Sequence, residues 1–420
     1  TPRNRMVTRL RDNAVFHAAI PARRRTTLHI LMISDVFFPR INGVSTSIES
    51  FRRQLRDQGH RVTLLCPDYP GDQPGSGTIE LAEAGVIRIA SRRAPLDPED
   101  RLMKWGELMR RIPALATDDV DLVHIHTPFI AHYAGRRIAR ELGVPLVETY
   151  HTFFEEYADK YVPLLPSAWL RGLARRWSRA QCNDVDRLVV PSEPMKASLI
   201  DYGVTTPMAV IPTGLPLASP AAPSEAAAFR SAHAIPADGP LLLYVGRVAR
   251  EKNIDVLVDM VPGMLEHHPN AILLIAGEGP AREALENKVA TMGLAESVRF
   301  LGYLCRETEL PAAYRAADLF VFASTSETQG IVLLEALAQG TPVVAVAEMG
   351  TRDVLSEDGG CRIVANDPTA FAEAIVKLLG EQRERERLAA AARTYAASWS
   401  SEVMTDRLIE LYRELVPAGP

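Results

Sequence analysis

The chain has 420 residues, 47% of them hydrophobic and 24% charged, which excludes a disordered or fibrous protein and leaves room for about two to three domains with their own cores. The formal net charge of −5 excludes a general nucleic-acid binder, whose phosphate contacts need a basic surface. The four cysteines, at positions 66, 182, 305 and 361, form no Cys-x-x-Cys pair, so neither a zinc knuckle nor a disulfide framework is expected, and a reducing cytoplasm suits them.

Residues 1–27 carry Arg3, Arg5, Arg9, Arg11 and Arg23 to Arg25 around one short apolar piece interrupted by His17. That piece is too broken for a secretory signal, so the segment reads as a basic, poorly ordered arm. No run reaches the ~18 apolar residues of a membrane-spanning helix. From 28 to 213, short apolar runs alternate with helical patterns: Leu28–Ser34, Val62–Pro67, Val86–Ala90, Leu122–His126, Leu146–Tyr150, Leu188–Pro191 and Ala209–Pro212. Such alternation predicts a parallel sheet with crossover helices. After the first run, Asn42-Gly43 makes a low-bulk turn where a ligand can approach the backbone. It is not a Gly-x-Gly-x-x-Gly fingerprint, which disfavours a dinucleotide dehydrogenase. His124, His126 and His151 each fall at a strand end. The pair His124 and His126 shares a strand face, but no third ligand follows at metal spacing, so no metal is expected. His151, followed by aromatics and carboxylates, is the candidate catalytic histidine.

Lys160 to Asn183 contains no acidic residue. Leu165, Trp169, Leu173 and Trp177 recur every fourth position on one helical stripe, and Arg171, Arg175 and Arg179 form a second. Two readings stand open: an interfacial anchor on anionic lipid, or a stripe packed on the sheet of the first domain. The Ala- and Pro-rich stretch 214–239 reads as the interdomain connection with a short helix near Ala226–Ala232.

A second set of runs follows in 240–397: Leu241–Gly246, Ala271–Ala276, Val298–Leu301, Leu319–Ala323, Val343–Ala347 and Arg362–Ala365. Two similar sets predict two doubly wound α/β domains, with ligands beyond the carboxyl ends of the strands. Arg247 and Lys252 lie in the loop after the first of these runs and suit a diphosphate, Arg as a planar fork and Lys as a compact charge. Glu278 stands in Gly277-Glu-Gly-Pro after the second. Glu327 and Glu335 flank a strand-to-helix turn at Gly330, where unpaired amides of Gln329, Gly330 and Ile331 offer a site for an anion. Residues 398–420 predict an amphipathic helix, with Trp399 as either its anchor or plain core.

Gly-Arg…Glu-Lys, Gly-Glu-Gly-Pro and Glu-x7-Glu, in that order, are specific in combination. With them the chain resembles retaining nucleotide-sugar glycosyltransferases of glycosyltransferase family 4 over roughly residues 28 to 415, closest in feel to bacterial diacylglycerol glucosyltransferases and phosphatidylinositol mannosyltransferases. The resemblance implies a GT-B architecture, with two Rossmann-like domains facing across a cleft and a last helix crossing back to the first. It implies catalytic roles for His151, Glu327, Arg247 and Lys252, and donor contacts from Gly43, Glu278, Gln329, Gly330, Ile331 and Glu335. Within it, Glu335 holds the ribose, Glu327 orients the sugar hydroxyls and His151 sits near the donor sugar.

The segment 150–157 resembles that of glycolipid-forming members. It favours a lipid acceptor such as diacylglycerol, with Trp169, Arg171, Arg175, Trp177 and Arg179 facing acceptor or membrane. UDP-glucose is the first expected donor, and GDP-mannose the alternative. No cofactor or metal, no nucleic-acid partner and a cytoplasmic location, peripheral on an anionic membrane surface, complete the expectation. A two-domain sugar-nucleotide epimerase and a hinged sugar-binding protein are the rival classes; the latter has no need of the Arg/Lys/Glu set.

Overall fold

Unbroken Val, Ile and Leu runs suit parallel strands covered on both faces, because neither side of such a strand meets water. In the computed structural model, residues 27–40, 42–69, 84–93, 101–116, 118–151, 167–216, 219–236 and 239–416 are described, 116 and 167–171 in backbone alone. The basic arm and Leu165 lie outside them.

The first sheet comprises β1 (His29–Ile33), β2 (Arg61–Pro67), β3 (Val86–Ile89), β6 (Leu122–Ile125), β7 (Leu146–Thr149), β8 (Arg187–Val190) and β9 (Met208–Val210). Its order is β3-β2-β1-β6-β7-β8-β9, all parallel. A small antiparallel ribbon, β4 (Ser91–Arg93) with β5 (Arg101–Met103), was not expected from the sequence. The second sheet comprises β10 (Leu241–Val245), β11 (Ile272–Ala276), β12 (Val298–Gly302), β13 (Leu319–Phe322), β14 (Val343–Ala345) and β15 (Cys361–Ile363), ordered β12-β11-β10-β13-β14-β15 and again parallel. Strand order reverses between β1 and β6 and between β10 and β13, and crevices for ligands open at such switch points.

The helices that bear on the site are α1 (Gly43–Asp57), α2 (Ile130–Leu142), α3 (Ser167–Cys182), α4 (Glu193–Asp201), α5 (Pro223–Ala232), α6 (Glu309–Ala316), α7 (Ile331–Ala338), α8 (Thr351–Val354) and α9 (Ser401–Leu415). The stretch 214–239 is more than a connection. Its helix α5 buries Phe229 in the core of the second sheet, and Arg230 donates to the Ala316 carbonyl and pairs with Asp318 at 2.8 Å.

The chain crosses between domains twice, and the crossings are tied together. Leu215 bridges Ser400, with its amide on the Trp399 carbonyl at 2.9 Å and its carbonyl accepting from Ser401 at 2.7 Å. A Cβ on Gly214 would lie 2.5 Å from the Ser401 Cα, so only glycine allows the two strands this close. Beyond the crossing, α9 packs Met404, Leu408, Ile409 and Tyr412 against Ile30, Met32 and Phe51 of the first domain. Trp399 is not its anchor: the indole stays with the second domain beside Tyr395, and the fully buried Tyr412 anchors α9 instead.

Candidate active site at the facing sheet ends

On the first domain, Asn42 caps α1: its side chain accepts from the Ser45 amide at 2.9 Å, and Ser45 Oγ accepts from the Asn42 amide at 3.0 Å. Gly43, the next residue, has nothing within 4 Å of where a Cβ would stand, so its backbone is open to approach. Asp35, past β1, accepts from the Ala131 amide and from Thr127 Oγ1 at 2.8 Å, capping α2 from another strand. Burial pushes its carboxyl up to about 6.

The three strand-end histidines form a column. His124 binds the Tyr412 hydroxyl at 2.6 Å and Thr149 Oγ1 at 2.7 Å. Its ring lies 4.2 Å from that of His126, whose Nδ1 is 3.1 Å from His151 Nε2. Among the described residues no three His, Cys, Asp or Glu side chains are placed to hold a metal ion. Burial holds His124 down at about 3, His151 at about 4 and His126 well below its ordinary value. These rings are neutral in the fold, whereas the unfolded chain protonates them near 6.5.

Each therefore contributes stability that is full above about pH 6.5 and is lost as pH falls toward 4, at up to about 1.4 kcal/mol per pH unit per ring. Asp35 acts oppositely, since its raised value favours the fold as pH falls below about 6. Three rings outweigh one carboxyl, so urea midpoints are expected to be lower at pH 5 than at pH 7. The difference should shrink in His124→Asn; equal wild-type midpoints at the two pH values would remove the neutral assignment.

On the second domain, Gly277 and Gly279 let the loop after β11 rest on the loop after β10. A Cβ on Gly277 would stand 2.0 Å from the Gly246 carbonyl oxygen, and one on Gly279 2.3 Å from that of Val248. Arg247 is exposed on this loop. Lys252, closing a short 3-10 turn, sets Nζ 2.5 Å from Glu327 Oε1, with side chains only 14% and 19% exposed. The Lys/Glu set expected after β10 and β13 thus meets at the β10/β13 switch point. Glu278 is ion-paired with Arg282 on the following turn.

Gly330, at φ +84°, opens α7, and Ile331 is its first residue. Gln329 was expected to act through its backbone amide, and its side chain is engaged elsewhere. Its side chain is buried, accepting from the Thr213 amide and donating to the Thr213 carbonyl, both at 2.7 Å. The amide group thus clamps the donor-side loop to the interdomain crossing, and only the backbone of Gln329 remains for an anion. Glu335 is engaged by residues that carried no motif: Arg306 pairs with it, and the Tyr314 hydroxyl donates to it at 2.9 Å. Nothing in the local sequence around Arg306 or Tyr314 points to this.

The backbone of α3 carries Trp169 and Arg171, whose side chains lie outside the described residues. Among the described side chains of α3, the buried ones are Ser178, Gln181 and Cys182. Leu173 is 52% exposed, and Trp177 lies against Phe129 and Tyr133, each 48% exposed. Arg175 stacks over Tyr202 at 5.3 Å, and Arg179 is exposed. Of the stripe residues whose side chains are described, Leu173 thus faces solvent and Trp177 is half-buried. No helix among the described residues is long and apolar enough to cross a membrane.

Residues 41–219 match the family description Glycosyltransferase Family 4, and 225–395 match glycosyl transferases group 1. An alpha-monoglucosyldiacylglycerol synthase of Streptococcus pneumoniae is 31% identical over 79% of this chain and 74% of its own length. A D-inositol 3-phosphate glycosyltransferase of Thermobifida fusca is 34% identical over 89% of this chain and 88% of its own. A GDP-mannose-dependent alpha-mannosyltransferase of Mycobacterium tuberculosis is 30% identical over 92% and 96%. The solved sucrose-phosphate synthase of Thermosynechococcus elongatus superposes with a TM-score of 0.74 at 24% identity, covering 93% of this chain and all of that one, a likeness of fold. The ordered motifs, the twin sheets with the last helix crossing back, and these similarities lead to one conclusion: the chain belongs to glycosyltransferase family 4 and is a glycosyltransferase of GT-B fold.

Proposed function

We propose that the protein is a retaining hexosyltransferase that moves glucose from UDP-glucose to the hydroxyl of a diacylglycerol-type lipid. The observation that carries the donor side is the Lys252–Glu327 pair at the β10/β13 switch point, beside the amino end of α7. A cation and helix amides stabilise a departing diphosphate where its charge develops, the work a metal does elsewhere, so no cofactor or metal is assigned. Arg247 adds a second cation as the donor binds. Glu327 exchanges its bond to Lys252 for the sugar hydroxyls. Gly43, Glu278, Gly330 and Ile331, with the backbone of Gln329, line the donor path. Departure and attack on one face keep the anomeric configuration, since no carboxylate is assigned as a covalent nucleophile.

The lipid acceptor is supported by the exposed Phe129 and Tyr133 against the half-buried Trp177, and by the exposed Leu173, Arg175 and Arg179 of the same helix. It is also supported by the diacylglycerol named for relatives from Streptococcus pneumoniae and Acholeplasma laidlawii. A GDP-mannose donor is the second reading, favoured by the mannosyltransferase relatives. The test is a screen of purified protein against UDP-glucose, UDP-galactose, GDP-mannose and ADP-glucose in excess EDTA, scoring free nucleotide and product anomer. UDP release from UDP-glucose with an α-linked product is expected. GDP release alone moves the donor, and activity that appears only on adding magnesium or manganese overturns the metal-free mechanism.

Glu335→Gln should weaken UDP binding about 10- to 100-fold, because a charged acceptor to ribose hydroxyls becomes a neutral amide. Unchanged UDP and GDP affinity by calorimetry would remove the ribose role.

A further inference from the structure

His151 does not stand alone at the end of β7. Its Nε2 meets His126 Nδ1 at 3.1 Å while the ring centroids stand 5.4 Å apart and the planes 26° from parallel, so the two rings meet end to end through these nitrogens. One of the two nitrogens carries the proton. His126 is 1% exposed, and among the described residues its Nε2 is buried with no partner. If His151 were the donor, the proton of His126 would sit on that Nε2, a buried N–H with nothing to accept it. Orphaned buried N–H groups are rare and cost about 1–3 kcal/mol. If His126 donates through Nδ1–H, only a lone pair faces the enclosed side.

We infer that His126 is a positioning residue that donates through Nδ1–H to His151 Nε2, holds His151 as the Nδ1–H tautomer, and so presents an N–H donor to the sugar in the cleft. The partner of one ring nitrogen decides the protonation of the other. Burial keeps both rings neutral, so each carries a single N–H and the choice is between two states. Behind them, His124 lies against His126 with its ring tilted by 35°, and is itself held by Thr149 and by Tyr412 of α9. The crossing-back helix thereby buttresses the column that ends at His151. In this arrangement His151 donates a hydrogen bond to a hydroxyl oxygen of the bound sugar and does not accept a proton from the acceptor.

The inference rests on the role proposed for His151 in transfer, and the experiment separates the two. Nitrogen-15 NMR of histidine-labelled protein, with His151 assigned by its loss in His151→Gln, reads the tautomer without any activity assay. The Nδ1–H pattern is expected for His151; an Nε2–H pattern overturns the inference. In kinetics with UDP-glucose (or GDP-mannose where the screen selects it), His126→Phe should lower kcat about 10- to 100-fold, the size of a lost buried hydrogen-bond partner, with the donor KM little changed. His126→Asn, whose amide N–H reaches the same place as Nδ1–H, should recover most of kcat. Unchanged kcat in His126→Phe overturns the inference, as does an Asn variant as impaired as the Phe variant. Transfer that survives in His151→Ala would instead remove the role of His151, leaving the tautomer measurement to stand by itself.

Discussion

Lys252→Ala is expected to lower turnover about 100- to 1000-fold, the loss typical when a charge that stabilises a developing anion is removed from a sheltered site. The ammonium sits on a short turn after β10 and reaches Glu327 after β13, so it joins the two strands of the switch point. Removing it takes away the cation for the diphosphate and leaves the Glu327 carboxylate, 19% exposed, without this partner. Some loss of stability accompanies the loss of rate, because a half-buried ion pair is broken.

Arg247→Ala should cost a similar factor in turnover without that stability loss, since Arg247 is exposed. The contrast makes the test specific. Turnover and melting temperature are measured for both variants, with Glu327→Gln alongside. Near-normal turnover in Arg247→Ala and Lys252→Ala together would sink the diphosphate assignment. A melting shift in Arg247→Ala equal to that of Lys252→Ala would show that Arg247 is structural.

Vesicle binding should fall about 100-fold when Arg171, Arg175 and Arg179 are replaced together by Gln, at about 1 kcal/mol for each near-surface Arg. The wild-type protein should sediment with anionic vesicles and be released by raised salt, which screens the charge term. Donor hydrolysis should be unaffected, because Arg175 and Arg179 lie against Tyr202 and Gly203 of the first domain, whereas the cations proposed for the donor stand on the second. Trp177 supplies the apolar part. It leans on Phe129 and Tyr133, and α3 turns Ser178, Gln181 and Cys182 inward instead. Trp177→Ala should therefore weaken vesicle binding while changing the melting temperature little. A large melting shift with normal vesicle binding would return Trp177 to a structural role. Indifference of the wild-type protein to anionic vesicles would move the acceptor from a lipid to a soluble sugar or alcohol.

Both sheets were legible because a parallel strand buried on two faces must be mainly apolar, and thirteen short, mainly apolar runs alternate with helical patterns in the sequence. The β4/β5 ribbon was not, since Ser91-Arg-Arg and Arg101-Leu-Met are short and charged and carry no strand period. The positions of the motif residues Arg247, Lys252, Glu278, Glu327, Gly330 and Glu335 beyond the strands of the second sheet were legible for a related reason. Each lies in the loop or on the helix that directly follows a strand, and in a doubly wound sheet the carboxyl ends of the strands are where ligand crevices form.

What each of these groups touches was decided only in three dimensions. Arg306 reaches Glu335 across 29 residues, Gln329 clamps Thr213 across 116, and Tyr412 meets His124 across 288. None of these pairs leaves a local signature, because an ion pair or a hydrogen bond between distant segments depends on how sheets and crossings stack and not on the period of either segment. The inward face of α3 belongs to the same class. A stripe of Trp and Leu at helical spacing determines that an apolar face exists, whereas packing that turns Ser178, Gln181 and Cys182 inward decides that Leu173 looks outward.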